Sequence, residues 1–459
     1  MGDTADSSPT PPSGTSGATA AGEAKGWPRW LVLALYNLLL PIGILASLPG
    51  FVIKMLRRGG YARGFATRFA LYGSDLPRAC DLWVHAVSVG EMNVALKLIA
   101  ALRAIDPACT IALSTTTSTG MALARERAPS GVYPIYNPLD FPPVALAALR
   151  RLRPRQLILV EAEVWPNLAA LARWRGIPVS LVNARLSPRS ERRYAKFRAL
   201  TAPIFGLLSR AFVQEADDVA RFAALGIDPR FITVAGSVKY DLEGADHSPE
   251  QEAAFRELIR RLWGEAPGPL LLAASTHAGE EAWIAGALPA LRESVPGLKF
   301  LAAPRHFERA HLAMGELRAA GCTPALRSAA GQGDAAPEGC DTLVIDSTGE
   351  LRAWQALADA VVVGKSFLSH GGQNPAEAAA LGKPVLFGPH MENFAPLVAD
   401  LLKAGGAIQT PADPEALAAA LRRVFTRAGD AAELGARAKA TLEKHRGATR
   451  RTAEALLPK

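Results

Sequence analysis

The chain has 459 residues, 49% of them hydrophobic and 20% charged, which is long enough for two or three globular domains with large cores. The formal net charge of +8 favours anionic partners such as nucleotides or an acidic membrane surface. No arginine-rich tract is interleaved with aromatic residues, which disfavours nucleic acid as a partner.

The cysteine and histidine patterns exclude two further classes of protein. Four scattered cysteines without a C-x-x-C pair are atypical of a zinc ribbon or a disulfide scaffold and fit a reducing compartment. The eight histidines contain no H-x-x-x-H pair, so the sequence predicts no built-in metal site.

The N-terminal region changes character after residue 26. Residues 1–26 are rich in Ser, Thr, Pro, Gly and Ala and are predicted to form a disordered tail. Residues 27–58 are predicted to form a membrane anchor with a basic flank. The stretch from Leu31 to Ile53 carries no charge and is long enough to cross a bilayer.

The details of this anchor leave its geometry open. Asn37, Pro41 and Pro49 weaken the case for a straight span, so a spanning helix and an interfacial helix both remain candidates. A cleaved signal peptide fits less well, because no basic region precedes the apolar run. The positive-inside rule predicts cytoplasmic domains downstream, because five cations follow the run without an acid among them: Lys54, Arg57, Arg58, Arg63 and Arg68.

The rest of the chain alternates short apolar runs with helical patterns, which predicts βαβ units and parallel sheets. Runs such as "LWVHAV", "TIALS", "QLILV", "PVSLV", "RAFV" and "FITVAG" are predicted to form a first α/β domain with a parallel sheet, residues 59–243. After a polar stretch the rhythm restarts with "PLLLAAS", "LKFLAAP", "TLVID", "AVVVG", "PVLFG" and "GAIQT". Residues 244–459 are therefore predicted to be a second doubly wound domain with terminal helices.

Polar residues follow many of these runs, where parallel α/β sheets bind ligands. Glu91, Glu161 and Lys239 do so in the first half, and Arg305 and Glu350 in the second. Helix capping explains Ser, Thr and Asp at such positions but explains basic residues and paired glutamates less well. We therefore expect one cleft between two facing domains.

The stretch "GGQNPAEAAALGKP" has two interpretations. Asn374 is a favoured N-cap, Pro375 suits the first helical position, and Glu377 can close a capping box at the third position. Alternatively, Glu377 binds a ligand and Asn374 caps the helix alone.

Ordered motifs make the chain resemble the 3-deoxy-D-manno-octulosonic acid (Kdo) transferases of lipopolysaccharide core biosynthesis. The matching stretches are "HAVSVGE", "EAEVWPNL", "NARLSPRS", "GSVKYD", "ASTHAGEE", "PRHFER", "DSTGEL" and "GGQNPAEAAALGKPVLFGPHMENF". The resemblance implies a GT-B glycosyltransferase, with two Rossmann-like domains facing across a cleft. The acceptor would bind the N-terminal domain and the nucleotide sugar the C-terminal one.

Some positions depart from the family pattern on the donor side. Gln373 stands where the family usually has His, Lys365 where it has a second Gly, and Ala278 where it has Glu. "DSTGEL" replaces the more usual Asp-Thr-Met-Gly-Glu-Leu.

The resemblance also implies roles for individual residues. Glu91 would be the general base, and Glu161 and Lys239 would stabilise the transition state; a helix-dipole carboxylate, a salt bridge and a surface lysine are the plain alternatives. The donor pocket would bind the phosphate and ribose of cytidine monophosphate (CMP). Its predicted residues are Pro304, Arg305, Thr348, Gly349, Glu350, Asn374, Pro375, Ala376 and Glu377.

The predicted function is transfer of Kdo from CMP-Kdo to a lipid A precursor, without cofactor or metal. The enzyme would be anchored by its N-terminus to anionic lipids of the inner membrane, with its catalytic domains in the cytoplasm. Two alternatives stay open: a GT-B lipid glycosyltransferase that uses a UDP-sugar, and an inactive membrane-anchored binding protein.

Overall fold

The computed structural model describes residues 27–58, 65–74, 76–242, 249–332 and 337–457. The predicted disordered tail and Arg63 lie outside these residues. The first element is a 30-residue helix, α1 (Arg29–Arg58), which continues through Pro41 and Pro49.

The first sheet is entirely parallel. Its strands are β1 (Leu82–His85), β2 (Ile111–Thr115), β3 (Val132–Tyr136), β4 (Gln156–Val160), β5 (Val179–Ala184), β6 (Arg210–Val213) and β7 (Ile232–Val234). They lie in the order β3-β2-β1-β4-β5-β6-β7. Because alternate side chains point to opposite faces, Trp83 of β1 enters one hydrophobic cluster and Leu82 and Val84 enter another.

Helices cover both faces of this sheet, as a parallel sheet requires. They are α2 (Val89–Ile105), α3 (Ser118–Arg127), α4 (Pro142–Leu152), α5 (Pro166–Trp174), α6 (Pro188–Lys196), α7 (Arg198–Phe205) and α8 (Ala216–Ala224). In α2, Met92, Ala95, Ile99 and Leu102 recur at helical spacing and are fully buried.

The second sheet repeats the same design. Its strands are β8 (Leu270–Thr276), β9 (Lys299–Pro304), β10 (Pro324–Leu326), β11 (Thr342–Val344), β12 (Ala360–Val363), β13 (Val385–Phe387) and β14 (Ala407–Gln409). These strands are also parallel and lie in the order β10-β11-β9-β8-β12-β13-β14. Hydrophobic clusters lie on its two faces.

The helices of the second half surround this sheet and then return to the first. They are α9 (Pro249–Trp263), α10 (Glu280–Ala285), α11 (Leu288–Ser294), α12 (Ala310–Ala319), α13 (Arg327–Gln332), α14 (Leu351–Leu357), α15 (Ala376–Ala380), α16 (Ala395–Lys403), α17 (Pro414–Thr426), α18 (Ala428–Glu443) and α19 (Ala448–Leu456). The last helix, α19, packs against α2 of the first half. Buried Asp241 holds its start by accepting the N–H groups of Gly447 and Thr449 at 3.0 and 2.7 Å.

Each apolar run named in the sequence analysis forms a strand. The strands β3 and β10 were not among those runs. Both contain a proline, Pro134 and Pro324, and both lie at the edge of their sheet, where a missing N–H costs no ladder bond.

The first part of α1 docks on the first domain, although its length and mean hydropathy of 1.7 over Arg29–Ala46 satisfy the criteria for a membrane span. Val32 is buried against α5 and α7. Tyr36 donates its hydroxyl to Asp140 at 3.0 Å, and Asn37 and Asn167 exchange two side-chain hydrogen bonds of 2.9 Å. The remaining apolar face is exposed at Leu38, Leu39, Ile42, Leu45 and Ile53.

One of the five cations that follow the apolar run is buried. Arg68 is buried, donates to the carbonyl of Thr116 at 2.7 Å and lies over the ring of Tyr136. Its cation therefore stabilises the first domain and does not face a membrane.

Candidate active site

The first group of candidate residues lies beyond the carboxyl ends of β1, β4 and β7. Glu91 lies in the first turn of α2, behind the N-cap Ser88. Its carboxylate accepts the Val87 N–H at 2.9 Å and the Ser88 hydroxyl at 2.8 Å. A carboxylate has about four acceptor positions, so these two bonds orient Glu91 and leave room for a substrate hydroxyl.

Glu161 lies at the end of β4 in a strained conformation. Its φ of 65° is unusual for a residue with a side chain and costs about 1–3 kcal/mol, a strain that clusters at functional sites. Burial raises its pKa to about 7, and the Glu91 carboxylate adds to this shift. Burial and Glu91 also raise the pKa of Glu163. The three carboxyl groups therefore share one region of low polarity.

Lys239 brings a cation to the same region. Burial lowers its pKa, Arg185 lowers it further, and Glu161 opposes the shift. Its ammonium lies 3.4 Å from the carbonyl of Asn393 and 4.8 Å from the centre of the Phe394 ring, both in the second half of the chain. Lys239 is thus the candidate residue that reaches across the cleft.

A histidine–tryptophan pair was missed by the sequence analysis. His85 is buried at the end of β1, and burial lowers its pKa to about 4, so it is neutral. Trp165 donates its indole N–H to His85 Nε2 at 2.9 Å, which leaves Nδ1 to donate to the Ser114 hydroxyl at 2.8 Å. This chain of bonds fixes the loop that carries Glu161 and Glu163. "VWP" and "WVH" lie far apart in the sequence, and only the strand order brings them together.

The second group lies on the facing domain and includes Glu377. Burial raises the pKa of Glu377, while Arg352 and Arg305 lower it. Asn374 accepts the N–H of Ala376 at 3.0 Å, but within the described part of the chain Glu377 forms no hydrogen bond to Asn374. The capping box is absent there: Pro375 stands at the N-cap of the five-residue α15, and Asn374 before it accepts the N–H of the first helical residue without help from Glu377.

The remaining donor-side residues follow other strands of the second sheet. Pro304 ends β9, and Arg305 directly after it donates its backbone N–H to Thr276 O at 2.9 Å. Thr348 and Gly349, whose φ is +80°, lead into α14. Glu350 stands at the N-cap position of that helix without a side-chain capping bond, and its carboxylate is engaged by the Ser347 hydroxyl and, at 2.7 Å, by Arg327.

Glu280 organises the glycine-rich loop that leads to α15. It is fully buried, and its carboxylate accepts the N–H groups of His277, Lys365, Ser366 and Phe367. Lys365 has a φ of 55°, a conformation that glycine adopts more readily than a residue with a side chain. The lysine here adds a cation beside His277, whose pKa is lowered by burial and by Lys365.

One group of possible metal ligands occurs among the residues that the structure describes. His370, His390 and Glu392 have ligand atoms within 4.8 Å of one another. The carboxylate of Glu392 already accepts the Gly371 N–H at 2.6 Å, and hydrogen bonds from its own backbone N–H, His370 and Gly371 lower its pKa to about 2. The group is mostly exposed and lies outside both sets of candidate residues.

Together, the two groups fit a group-transfer reaction. Glu91, Glu161 and Lys239 combine a proton acceptor with charges of both signs near one point. Arg305 and Glu377 combine an anion-binding group with a hydroxyl acceptor. Two doubly wound domains that carry such groups on facing edges define the GT-B class of glycosyltransferase fold.

Comparison with known proteins gives the same class and adds the family. A solved structure of UDP-GlcNAc 2-epimerase from Neisseria meningitidis superposes with a TM-score of 0.50 at 12% identity, covering 82% of this chain and 99% of that one. This likeness concerns the fold alone.

Sequence comparison identifies the family. Residues 63–242 match the family "3-Deoxy-D-manno-octulosonic-acid transferase (kdotransferase)". A 3-deoxy-D-manno-octulosonic acid transferase from Bordetella pertussis is 38% identical over 87% of this chain and 93% of the relative. One from Haemophilus influenzae is 31% identical over 87% and 92%. The chain belongs to the Kdo transferase family of glycosyltransferases.

Proposed function

We propose that this enzyme transfers Kdo from CMP-Kdo to a lipid A precursor, without a metal ion. The observation that carries the proposal is the pairing of Glu91, Glu161 and Lys239 on one domain with Arg305 and Glu377 on the other. Each group has the charge that its half of the reaction needs.

On the acceptor side, Glu91 removes the proton from the attacking sugar hydroxyl. Its orientation by Val87 N–H and Ser88 fixes the carboxylate before substrate binds, which lowers the cost of reaching the transition state. The anomeric carbon becomes positively charged as the bond to phosphate breaks. Glu161, held in a poorly solvated position, stabilises this charge when it is ionised.

On the donor side, positive groups balance the phosphate of the leaving CMP. Arg305 offers a planar fork of N–H donors that matches two phosphate oxygens. Lys239 adds a second cation, since its ammonium lies against Asn393 and Phe394 of the donor-side domain. Glu377, with no bond to the α15 cap, accepts the ribose hydroxyls. These cations supply the charge that a metal ion provides in other transferases.

The acceptor is an anionic lipid, and α1 keeps the enzyme beside it on the cytoplasmic face of the inner membrane. The exposed apolar residues of α1 suit the membrane interface, where Trp30 and Trp27 at its start are also favourable.

An interfacial α1 fits the geometry better than a spanning one. Tyr36 near its start and Arg68 shortly after its end both bond to the first domain. Six residues separate Arg58 from Phe65, and they reach at most about 25 Å when extended. The hydrocarbon core is about 30 Å thick. A chain that crossed it at α1 has too little length to return.

The decisive experiment is incubation of the full-length protein with CMP-Kdo and a tetraacylated, phosphorylated glucosamine disaccharide, with mass analysis of the lipid. The expected product gains the mass of one or more Kdo residues, and chelators leave the rate unchanged. In a thermal shift experiment, CMP should raise the melting temperature and UDP should not. At a CMP concentration a hundredfold above Kd, the free energy of unfolding should rise by about 2.7 kcal/mol. Stabilisation by UDP alone contradicts the proposal.

A further inference from the structure

An apolar groove of about 290 Å³ separates α1 from the first domain. Leu35 and Leu39 of α1 form one wall, and Thr201 and Ile204 of α7 form the facing wall. The hydroxyls of Tyr36 and Thr201, which also line it, bond within the protein to Asp140 and to backbone carbonyls. The groove therefore suits an apolar occupant.

The lining of the groove points to the source of that occupant. Leu39, which lines it, is 52% exposed and continues into the apolar face of α1 formed by Leu38 and Ile42. Val164 and Pro166 also line the groove. They belong to the loop that carries Glu161 and Glu163, so the groove joins the membrane-facing helix to the acceptor side of the cleft.

Helix α6, whose Tyr194 is part of the groove lining, carries several basic side chains. Arg189, Arg192, Arg193 and Lys196 are exposed, and among the described residues no carboxylate forms an ion pair with them. Arg193 lies over the ring of Tyr194, 5.3 Å from its centre. Unpaired cations beside an apolar groove match a lipid that joins acyl chains to phosphate.

The chain's own N-terminal tail is a poor occupant. Residues 1–26 contain no Leu, Ile, Val or Phe. Met1 is the one large apolar side chain that they offer to fill the groove.

We propose that the groove between α1, the 164–166 segment and α7 binds one acyl chain of the anionic acceptor lipid. The inference rests on the lipid transfer proposed above and adds how the lipid is held. A chain leaving the bilayer for this groove exchanges one apolar environment for another, so little affinity is gained. The gain is positional: the sugar attached to that chain is brought to Glu91 and Glu161.

The experiment compares two adjacent residues on α1. Leu39→Trp fills the groove, and Leu38→Trp makes the same change at an exposed residue outside it. Transfer from CMP-Kdo is measured to the tetraacyl disaccharide in phosphatidylglycerol vesicles and to its deacylated, water-soluble form. Leu39→Trp should lower the ratio of kcat/KM for the lipid acceptor to kcat/KM for the deacylated acceptor by at least about tenfold. Leu38→Trp should leave this ratio unchanged.

Other outcomes overturn the inference. An unchanged ratio in Leu39→Trp, or an equal fall in both variants, means that no acceptor chain uses the groove. Thr201→Leu narrows the groove from the opposite wall and should lower the ratio in the same direction, which keeps the test valid if Leu39→Trp folds poorly.

Two further outcomes have distinct meanings. If added phosphatidylglycerol slows lipid transfer by the wild type and not by Leu39→Trp, a bulk phospholipid occupies the groove and the inference is wrong. If the wild type transfers Kdo to neither acceptor, the failure belongs to the proposed function.

Discussion

Glu91 is a residue at which helix capping and proton transfer use the same carboxylate. Glu91→Gln keeps an oxygen for the Val87 N–H or the Ser88 hydroxyl but loses basicity. We expect turnover to fall by about 10²–10⁴-fold with CMP affinity retained. Asp413→Ala is a matched control, because Asp413 caps α17 in the second domain. It should lower stability by about 1 kcal/mol and leave turnover intact. A Glu91→Gln enzyme with more than a tenth of the wild-type rate contradicts the assigned role.

Glu161 gives a prediction about pH. Its carboxyl pKa is raised in the folded protein from the usual 4.5 to about 7, so the native state binds this proton more tightly than the unfolded chain does. The contribution of Glu161 to stability is therefore lost as pH rises from about 4.5 to about 7. The side chain in Glu161→Gln does not titrate. As pH rises through this window, the free energy of unfolding of the variant should therefore increase relative to that of the wild type. Urea denaturation at pH 5 and pH 8 measures the gap, and a constant gap means an ordinary pKa.

Substitutions at Glu377 and Asn374 distinguish ligand binding from stabilisation of the helix start. Glu377→Ala should weaken CMP binding and change the free energy of unfolding by no more than about 0.5 kcal/mol, since no cap depends on it. Asn374→Ala removes the acceptor of the Ala376 N–H and should cost about 0.5–2 kcal/mol. Calorimetric CMP titration and thermal melting on both variants test the pair. A large loss of stability in Glu377→Ala without loss of CMP affinity supports the plain structural role.

At the scale of single elements, α1 gives a topological prediction. Because Tyr36 near the start of α1 and Arg68 shortly after its end both bond to the first domain, the N-terminal tail should lie on the same side of the membrane as the catalytic domains. A Ser8→Cys protein should react with a membrane-impermeant maleimide in inside-out vesicles and not in intact spheroplasts.

Ala224→Cys provides the matched control, since Ala224 is exposed on α8 of the first domain. The native cysteines are all buried, and burial raises the pKa of each thiol, which keeps their reactivity low. Labelling of Ser8→Cys in spheroplasts means that α1 spans the membrane.

Some elements of the fold could be predicted from the sequence and others could not, for physical reasons. Fully buried parallel strands are short apolar runs, so their positions and the polar residues after them could be read directly. Edge strands with a proline, such as β3, have no such run. Arg68 looked like a membrane cation because charge alone does not reveal a carbonyl partner 48 residues away. The docking of α1 through Asn37 and Asn167 depends on contacts 130 residues apart, which no local pattern encodes.

At the scale of the whole molecule, the two domains are held together by the C-terminal segment. Lys444 pairs with Glu215 at 2.8 Å, and the Ser237 N–H donates to His445 Nδ1 at 3.1 Å. The helix α19 then completes the first domain by covering α2. The orientation of the two domains therefore depends on contacts that involve none of the candidate site residues.

Asp241→Ala tests this dependence. The substitution leaves the buried N–H groups of Gly447 and Thr449 without their acceptor, which should cost about 1–3 kcal/mol for each group that stays buried. We expect α19 to loosen and turnover to fall, because Lys239 and Glu91 lose their fixed position relative to the donor side. CMP affinity should stay near that of the wild type, since Arg305 and Glu377 belong to the second domain. Denaturant unfolding, turnover and CMP titration should be measured on one preparation of the variant. If CMP affinity falls together with turnover, α19 supports the donor pocket itself rather than the alignment of the two domains.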